Sequence, residues 1–185
     1  LYQTVQGSGI GGAGYGTTNP VQVGRGTRLA AVQRVQGQGP LENTGRPLDL
    51  AVEGDGFFQV RLPNGETAYT RDGSFSISAD GLLVTHGGYE VVPGIVVPED
   101  ATALGVSATG GVTAQMASAS DVVELGRIEL ARFANPPGLE AMGQNLYAET
   151  PASGTPMMGY AQDDGYGRVL QGHLDASNGE IATEM

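Results

Sequence analysis

The chain reads as an all-β protein, an irregular and glycine-rich single domain arranged as a β-meander or a barrel-like sheet with one short helical turn. Three features carry that expectation. Apolar and polar residues alternate with a period of two along residues 48–61, the pattern of half-buried strands. Short turn sequences, among them Pro63-Asn64-Gly65 and Asp80-Gly81, punctuate the apolar runs, and glycine there accepts a positive φ that other residues resist. Finally, 31 glycines and 10 prolines in 185 residues leave little room for long helices.

The elements follow in chain order. Residues 1–24 hold seven glycines and no charge, and Tyr2, Val5, Ile10, Tyr15, Val21 and Val23 are spaced as if another surface is to pack against them. A flexible Gly-rich leader is the competing reading for the isolated chain. From residue 25 to 178 a β-rich core domain is expected. In it Leu48, Leu50 and Val52 alternate with Asp49, Ala51 and Glu53, and Phe58 and Val60 with Gln59 and Arg61. Turns are placed at Glu53-Gly54-Asp55-Gly56, Pro63-Asn64-Gly65, Asp72-Gly73 and Asp80-Gly81. Further strands are predicted at 94–98, 104–106 and 112–115, the last entered by the Gly110-Gly111 turn. A long strand is expected over 122–133, with Leu125, Arg127, Glu129, Ala131 and Phe133 on one face and Ile128 and Leu130 on the other. Asn135-Pro136-Pro137-Gly138 stops it. Leu139 to Gly143 is predicted as a helical turn that presents Leu139 and Met142 to the core. Residues 149–159 are expected to be a poorly ordered loop. A closing strand follows over 168–175, and residues 179–185 look like the start of a helix that continues beyond them.

Composition narrows function. The formal charge is −11, lysine is absent, and the nine arginines are scattered, so a phosphate backbone has no basic patch to meet. No apolar run reaches the roughly 18 residues of a membrane-spanning helix, so neither nucleic-acid binding nor membrane insertion is expected. Without cysteine there is no disulfide and no thiolate ligand. The chain starts at Leu1 rather than Met and is expected to be a piece of, or a processed form of, a longer protein.

Residues with chemical potential each have a plainer reading. Glu149, Asp163, Asp164 and Asp175 lack the alternating Asp loop and distal Glu of a calcium site, and are expected to be solvated or structural. His86 and His173 lie far apart with no third ligand nominated, so no metal site is assigned. Ser74 and Ser76 stand near Asp72 but lack a Gly-x-Ser-x-Gly elbow and a histidine close in sequence, so no catalytic residue is assigned. The glycine clusters lack the strand-loop-helix setting of a phosphate cradle, and no cofactor is expected. Arg71, beside Asp72, is read as a brace across a turn or between strands.

Two linked motifs carry a family resemblance. Leu50-Ala51-Val52-Glu53-Gly54-Asp55-Gly56-Phe57-Phe58, followed by Ala68-Tyr69-Thr70-Arg71-Asp72-Gly73-Ser74-Phe75, resembles the bacterial flagellar rod and hook family. Asp80 to Thr85, Gly138 to Glu140 and Asn145 to Tyr147 fall in that family's order, and the likeness covers most of residues 25–178. It makes Gly54, Gly56, Phe57, Phe58, Tyr69, Arg71, Asp72, Gly73 and Phe75 the scaffold motif. The uncharged residues 1–24 are similar to the insertion that sets distal-rod members apart from hook members, which fills gaps between neighbouring subunits. One departure is Gly179, where the family usually has valine after Asn178.

The resemblance implies a non-enzymatic structural subunit that polymerises with itself into a rigid helical tube, the distal part of a drive shaft carrying motor torque to the hook. Implied partners are further copies, proximal rod and hook proteins, and the periplasmic and outer-membrane ring proteins. The implied location is the flagellar basal body, from periplasm to outer membrane, reached through the flagellum's own type III export channel. Proximal rod and hook subunits are the nearest alternatives, although a hook subunit would lack residues like 1–24 and carry an extra outer domain. A different class, a secreted β-rich adhesin or carbohydrate-binding module, would use Tyr69, Tyr89, Tyr147, Tyr160 and Tyr166 as stacking platforms. The absence of tryptophan weakens it.

Overall fold

The computed structural model describes residues 38–118 and 120–176. The packing residues proposed within 1–24 and the helix start at 179–185 lie outside the described residues. The strands are β1 (Leu41–Asn43), β2 (Leu50–Glu53), β3 (Phe57–Arg61), β4 (Thr67–Thr70), β5 (Ser76–Ile77), β6 (Leu83–Val84), β7 (Glu90–Val91) and β8 (Ala101–Val106). They continue as β9 (Gly111–Met116), β10 (Val122–Arg127), β11 (Glu129–Arg132), β12 (Glu140–Gly143), β13 (Leu146–Ala148), β14 (Met157–Tyr160), β15 (Arg168–Gln171) and β16 (His173–Asp175). The all-β expectation holds; the barrel-like form does not. Strands run in an open sheet ordered β12-β13-β4-β3-β7-β6-β5, with β11 joining β3 to β14, in a three-stranded sheet β10-β9-β8, and in two ribbons, β1-β16 and β2-β15.

Two of the four turn signals make hairpins. At Pro63-Asn64-Gly65 the Leu62 amide donates to Glu66 O at 2.8 Å, closing β3 onto β4. Ser78 N donates to Leu82 O at 2.8 Å around Asp80-Gly81, closing β5 onto β6. The other two change partners instead. After Gly54 and Gly56 the chain leaves β2, which pairs with β15, and enters β3, which pairs with β4, β7 and β11. Beyond Asp72-Gly73 it folds back over β2 through the Asp49–Ser74 bridge. The meander is therefore interrupted at both family motifs.

These crossings bury strands predicted to be half exposed. Leu50, Ala51 and Val52 are all buried, as are Phe57, Phe58, Gln59 and Val60. Gln59 tolerates burial because its Nε2 donates to Glu129 Oε1 at 3.2 Å. Phe57 and Phe58 point to opposite faces, as period two requires. Phe58 meets Phe75 edge-on at 5.1 Å in the main core, with Leu50, Val52, Ile95, Ile128, Leu130 and Val169. Phe57 meets Phe133 at 5.8 Å, and Phe133 meets Tyr69 at 4.8 Å, on the other side.

Several element expectations are corrected. The 122–133 strand divides at Ile128, whose amide bonds to Gly110 O at 2.9 Å, so β10 joins one sheet and β11 another. Residues 94–98 form no strand, although Val96 makes an isolated bridge to Leu82 and the Ile95 carbonyl accepts the Leu83 amide at 2.9 Å. Leu139 to Gly143 is not helical: a 3-10 turn occupies Pro136–Gly138, and Glu140–Gly143 is β12, with Leu139 buried but Met142 exposed. The expected loop at 149–159 ends in β14, and its start is tied down by Ser153, buried, which donates through Oγ to Thr150 O at 2.9 Å. The closing strand breaks at Gly172 into β15 and β16.

Candidate functional site

The scaffold motif converges on Arg71, which follows β4. Gly54 and Gly56 take φ of +114° and +136°, values open to glycine and strained for other residues. Their turn aims carbonyls at the arginine. Arg71 Nη1 donates to Gly54 O at 2.9 Å and Gly56 O at 2.7 Å, and Nη2 donates to Val52 O at 3.2 Å. Nη2 also meets Asp175 Oδ2 at 3.3 Å, in a pair whose side chains are 13% and 1% exposed. Asp175 Oδ1 in turn accepts the Gly39 amide at 3.1 Å. The guanidinium carbon lies 5.9 Å from the centre of the Phe57 ring. One side chain thus binds the β2–β3 turn to β16, where Ala176 N donates to Pro40 O at 2.8 Å and the two ends of the described span lie side by side.

Asp72 and Gly73 complete the motif. Asp72 Oδ1 accepts Ser74 Oγ at 2.7 Å and Ser74 N at 3.2 Å, while Oδ2 accepts Asn145 Nδ2 at 3.0 Å, which ties the β12–β13 turn to the family motif. Gly73 lies against β2, where Leu50 N donates to Gly73 O at 2.9 Å. A Cβ on Gly73 would overlap the Leu50 carbonyl oxygen, so close approach rather than φ demands glycine here. Phe75 then enters the core.

Several side chains take structural roles. Asp175, expected to be solvated or structural, is structural: it is buried and ion-paired with Arg71. Asp49, also buried, accepts Thr44 Oγ1 at 2.6 Å and Arg46 Nε at 2.7 Å. Gln171 stands in for a strand beside β8: its Oε1 accepts Val106 N at 3.1 Å and its Nε2 donates to Leu104 O at 3.0 Å. His86 lines a pocket of ≈ 220 Å³ with Asp72 and Ser74, far closer than sequence spacing suggested. The Ser74 hydroxyl is nevertheless committed to Asp72, as in an ordinary turn. His173 Nδ1 lies 2.9 Å from Gln171 O. Asp163 Oδ2 accepts Tyr160 N at 2.8 Å, also within a turn.

Three of the tyrosines considered for stacking are engaged separately among the described residues. Tyr69 is buried against Phe133, Tyr160 lies under Arg127 at 4.2 Å, and the Tyr166 hydroxyl donates to Met157 O at 2.5 Å. Burial, with a smaller contribution from Glu149, pushes the Tyr69 phenol up to about 12 from 10.0. A raised acid pKa means the folded state resists ionisation. The associated stability is therefore complete below pH 10 and is lost as pH rises towards 12, a change of roughly 2–3 kcal/mol. Urea unfolding between pH 9 and 12 is expected to show a steeper loss for the native sequence than for Tyr69→Phe; parallel losses would contradict the assignment.

The site is a set of braces within an open β scaffold, and comparison with known proteins places that scaffold. Residues 51–114, from β2 into β9, match the family model described as the flagellar hook protein FlgE/F/G D1 domain. The class is therefore that of the flagellar rod and hook proteins. The flagellar basal-body rod protein FlgG of Borreliella burgdorferi is 44% identical over 189 residues, covering 100% of this chain and 71% of the relative. FlgG of Agrobacterium fabrum is 41% identical with the same coverage of both chains. The flagellar hook protein FlgE of Helicobacter mustelae is 47% identical over 79 residues, but these make up 42% of this chain and 17% of the relative. The chain belongs to the flagellar basal-body rod protein FlgG family, a family of structural subunits of the flagellar rod.

Proposed function

We propose that the chain is the β domain of a distal-rod subunit, stacked with further copies into a stiff helical tube that carries torque across the periplasm to the hook. The observation that carries this reading is coverage: the FlgG relatives align over the whole chain, residues 1–24 included, whereas the hook relative aligns with less than half of it. The Arg71 clamp supports it physically. It fastens the paired strands β1 and β16 to the sheet turns, so that load entering at the base of the domain reaches the core through charge-assisted bonds. In this reading the domain performs no catalytic step, and its partners are other copies, the proximal rod and hook proteins, and the periplasmic and outer-membrane ring proteins around the shaft. The acidic, lysine-free chain fits a ring lumen that is not strongly basic.

Residues 1–24 are assigned to packing between neighbouring subunits through Tyr2, Val5, Ile10, Tyr15, Val21 and Val23. Deleting residues 3–20 from the complete protein is expected to leave a folded subunit whose tube bends more readily. Persistence length measured on electron micrographs tests this, and a value equal to that of the unaltered tube would contradict the role.

A further inference from the structure

The three-stranded sheet β10-β9-β8 has two dissimilar edges. On the β10 side, Val122 and Val123 are 57% and 43% exposed, flanked by the exposed carboxylates Asp121 and Glu124. Two adjacent valines point to opposite faces of a strand, so this end of β10 is an apolar knob with an acidic border. At the opposite edge, β8 borders a groove of ≈ 680 Å³ whose apolar wall includes Leu48, Phe75, Ile77, Val97, Ala101 and Leu104. Its rim carries His86, which is exposed, and Arg46, whose side chain is 68% exposed and held by Nε to buried Asp49. The groove therefore offers an apolar floor with one exposed guanidinium, that of Arg46, at its rim.

We propose that knob and groove are two halves of one self-contact, in which Val122 and Val123 of one copy seat in the β8 groove of the next. This rests on the reading of the chain as a subunit of a polymer. Three observations favour a second copy as the occupant. The two surfaces match in character, apolar centre to apolar centre and carboxylate border to the Arg46 guanidinium. A chain of charge −11 repels its own kind, so a contact between copies needs a local cation against the acid. Lastly, the knob and groove sit on opposite edges of one sheet, so the contact is heterologous, the kind from which a helical tube is built when the rotation between copies does not close. Each edge strand carries a bulge, between Glu124 and Gly126 in β10 and between Ala101 and Ala103 in β8. These interrupt the hydrogen-bonding row and favour side-chain docking over continuous sheet pairing.

These 185 residues hold no cysteine, so cysteines introduced at chosen positions are the reactive thiols of this domain, and the unsubstituted complete protein serves as the control. In the complete protein, Val122→Cys combined with Ala103→Cys is expected to give a ladder of covalent multimers when assembled tubes are treated with a short bismaleimide, and either substitution alone is expected to give none. Assembled tubes with no ladder would overturn the contact while leaving the rod reading intact, and would assign the groove to another occupant. Failure of the unaltered complete protein to form any tube would overturn the rod reading itself. Independently, Val122→Ser with Val123→Ser is expected to leave the melting temperature unchanged and raise the critical concentration for assembly about tenfold. An unchanged critical concentration would overturn the contact.

Discussion

Replacing Arg71 by alanine is expected to destabilise the domain by about 3–5 kcal/mol, the range for removing one partner of a buried ion pair. Asp175, 1% exposed, would lose its guanidinium, and the carbonyls of Val52, Gly54 and Gly56 would lose a charged donor together. Arg71→Lys separates charge from geometry. An ammonium preserves the charge but lacks the planar fork that reaches several acceptors, so the lysine variant is expected to lie between alanine and the native protein. Urea unfolding followed by circular dichroism gives both values. A loss below about 1 kcal/mol for Arg71→Ala would show that the clamp is incidental to the fold. Asp175→Asn, measured alone and with Arg71→Ala, is expected to reveal strong coupling, because the two side chains meet inside one network.

Gly73→Ala is expected to be comparably damaging, at about 3 kcal/mol or more, through a different mechanism. Its added methyl would meet the Leu50 carbonyl oxygen, with the Phe58 ring 3.0 Å away. Neither neighbour has room to retreat. Leu50 is a fully buried core residue whose amide donates to Gly73 O at 2.9 Å, and the Phe58 ring is locked edge-on against Phe75. The expected result is a loss of cooperative unfolding at room temperature or a large fall in the urea midpoint. An unfolding free energy within about 1 kcal/mol of the native value would mean that β2 can move away from the 72–75 segment.

Local signals were legible where local physics decides the outcome. Pro63-Asn64-Gly65 and Asp80-Gly81 became hairpins because each turn also brings its own flanking strands together. Gly54-Asp55-Gly56 and Asp72-Gly73 have equally good turn chemistry, yet β2 and β3 around the first pair with β15 and β11, and β4 before the second pairs with β13, distant partners that no short window displays. Leu139-Glu140-Ala141-Met142 consists of good helix formers, but antiparallel pairing of Glu140 and Ala141 with β13 overrides that propensity. The role of Arg71 as a brace was readable from its place beside a turn. Its partner Asp175, 104 residues further along, was not, because an isolated aspartate carries no local mark of burial. The knob on β10 and the groove beside β8 were hidden for the same reason, since the sequence shows apolar residues without showing which of them remain uncovered.

The central claim is that this β domain serves as a building block of a self-assembled shaft, and electron cryomicroscopy of the complete protein tests it most directly. The account predicts a helical tube in which neighbouring β domains touch and residues 1–24 run between them in contact with adjacent subunits. A complete protein that forms no tube, or a tube whose β domains stand apart with residues 1–24 touching no neighbour, would contradict it.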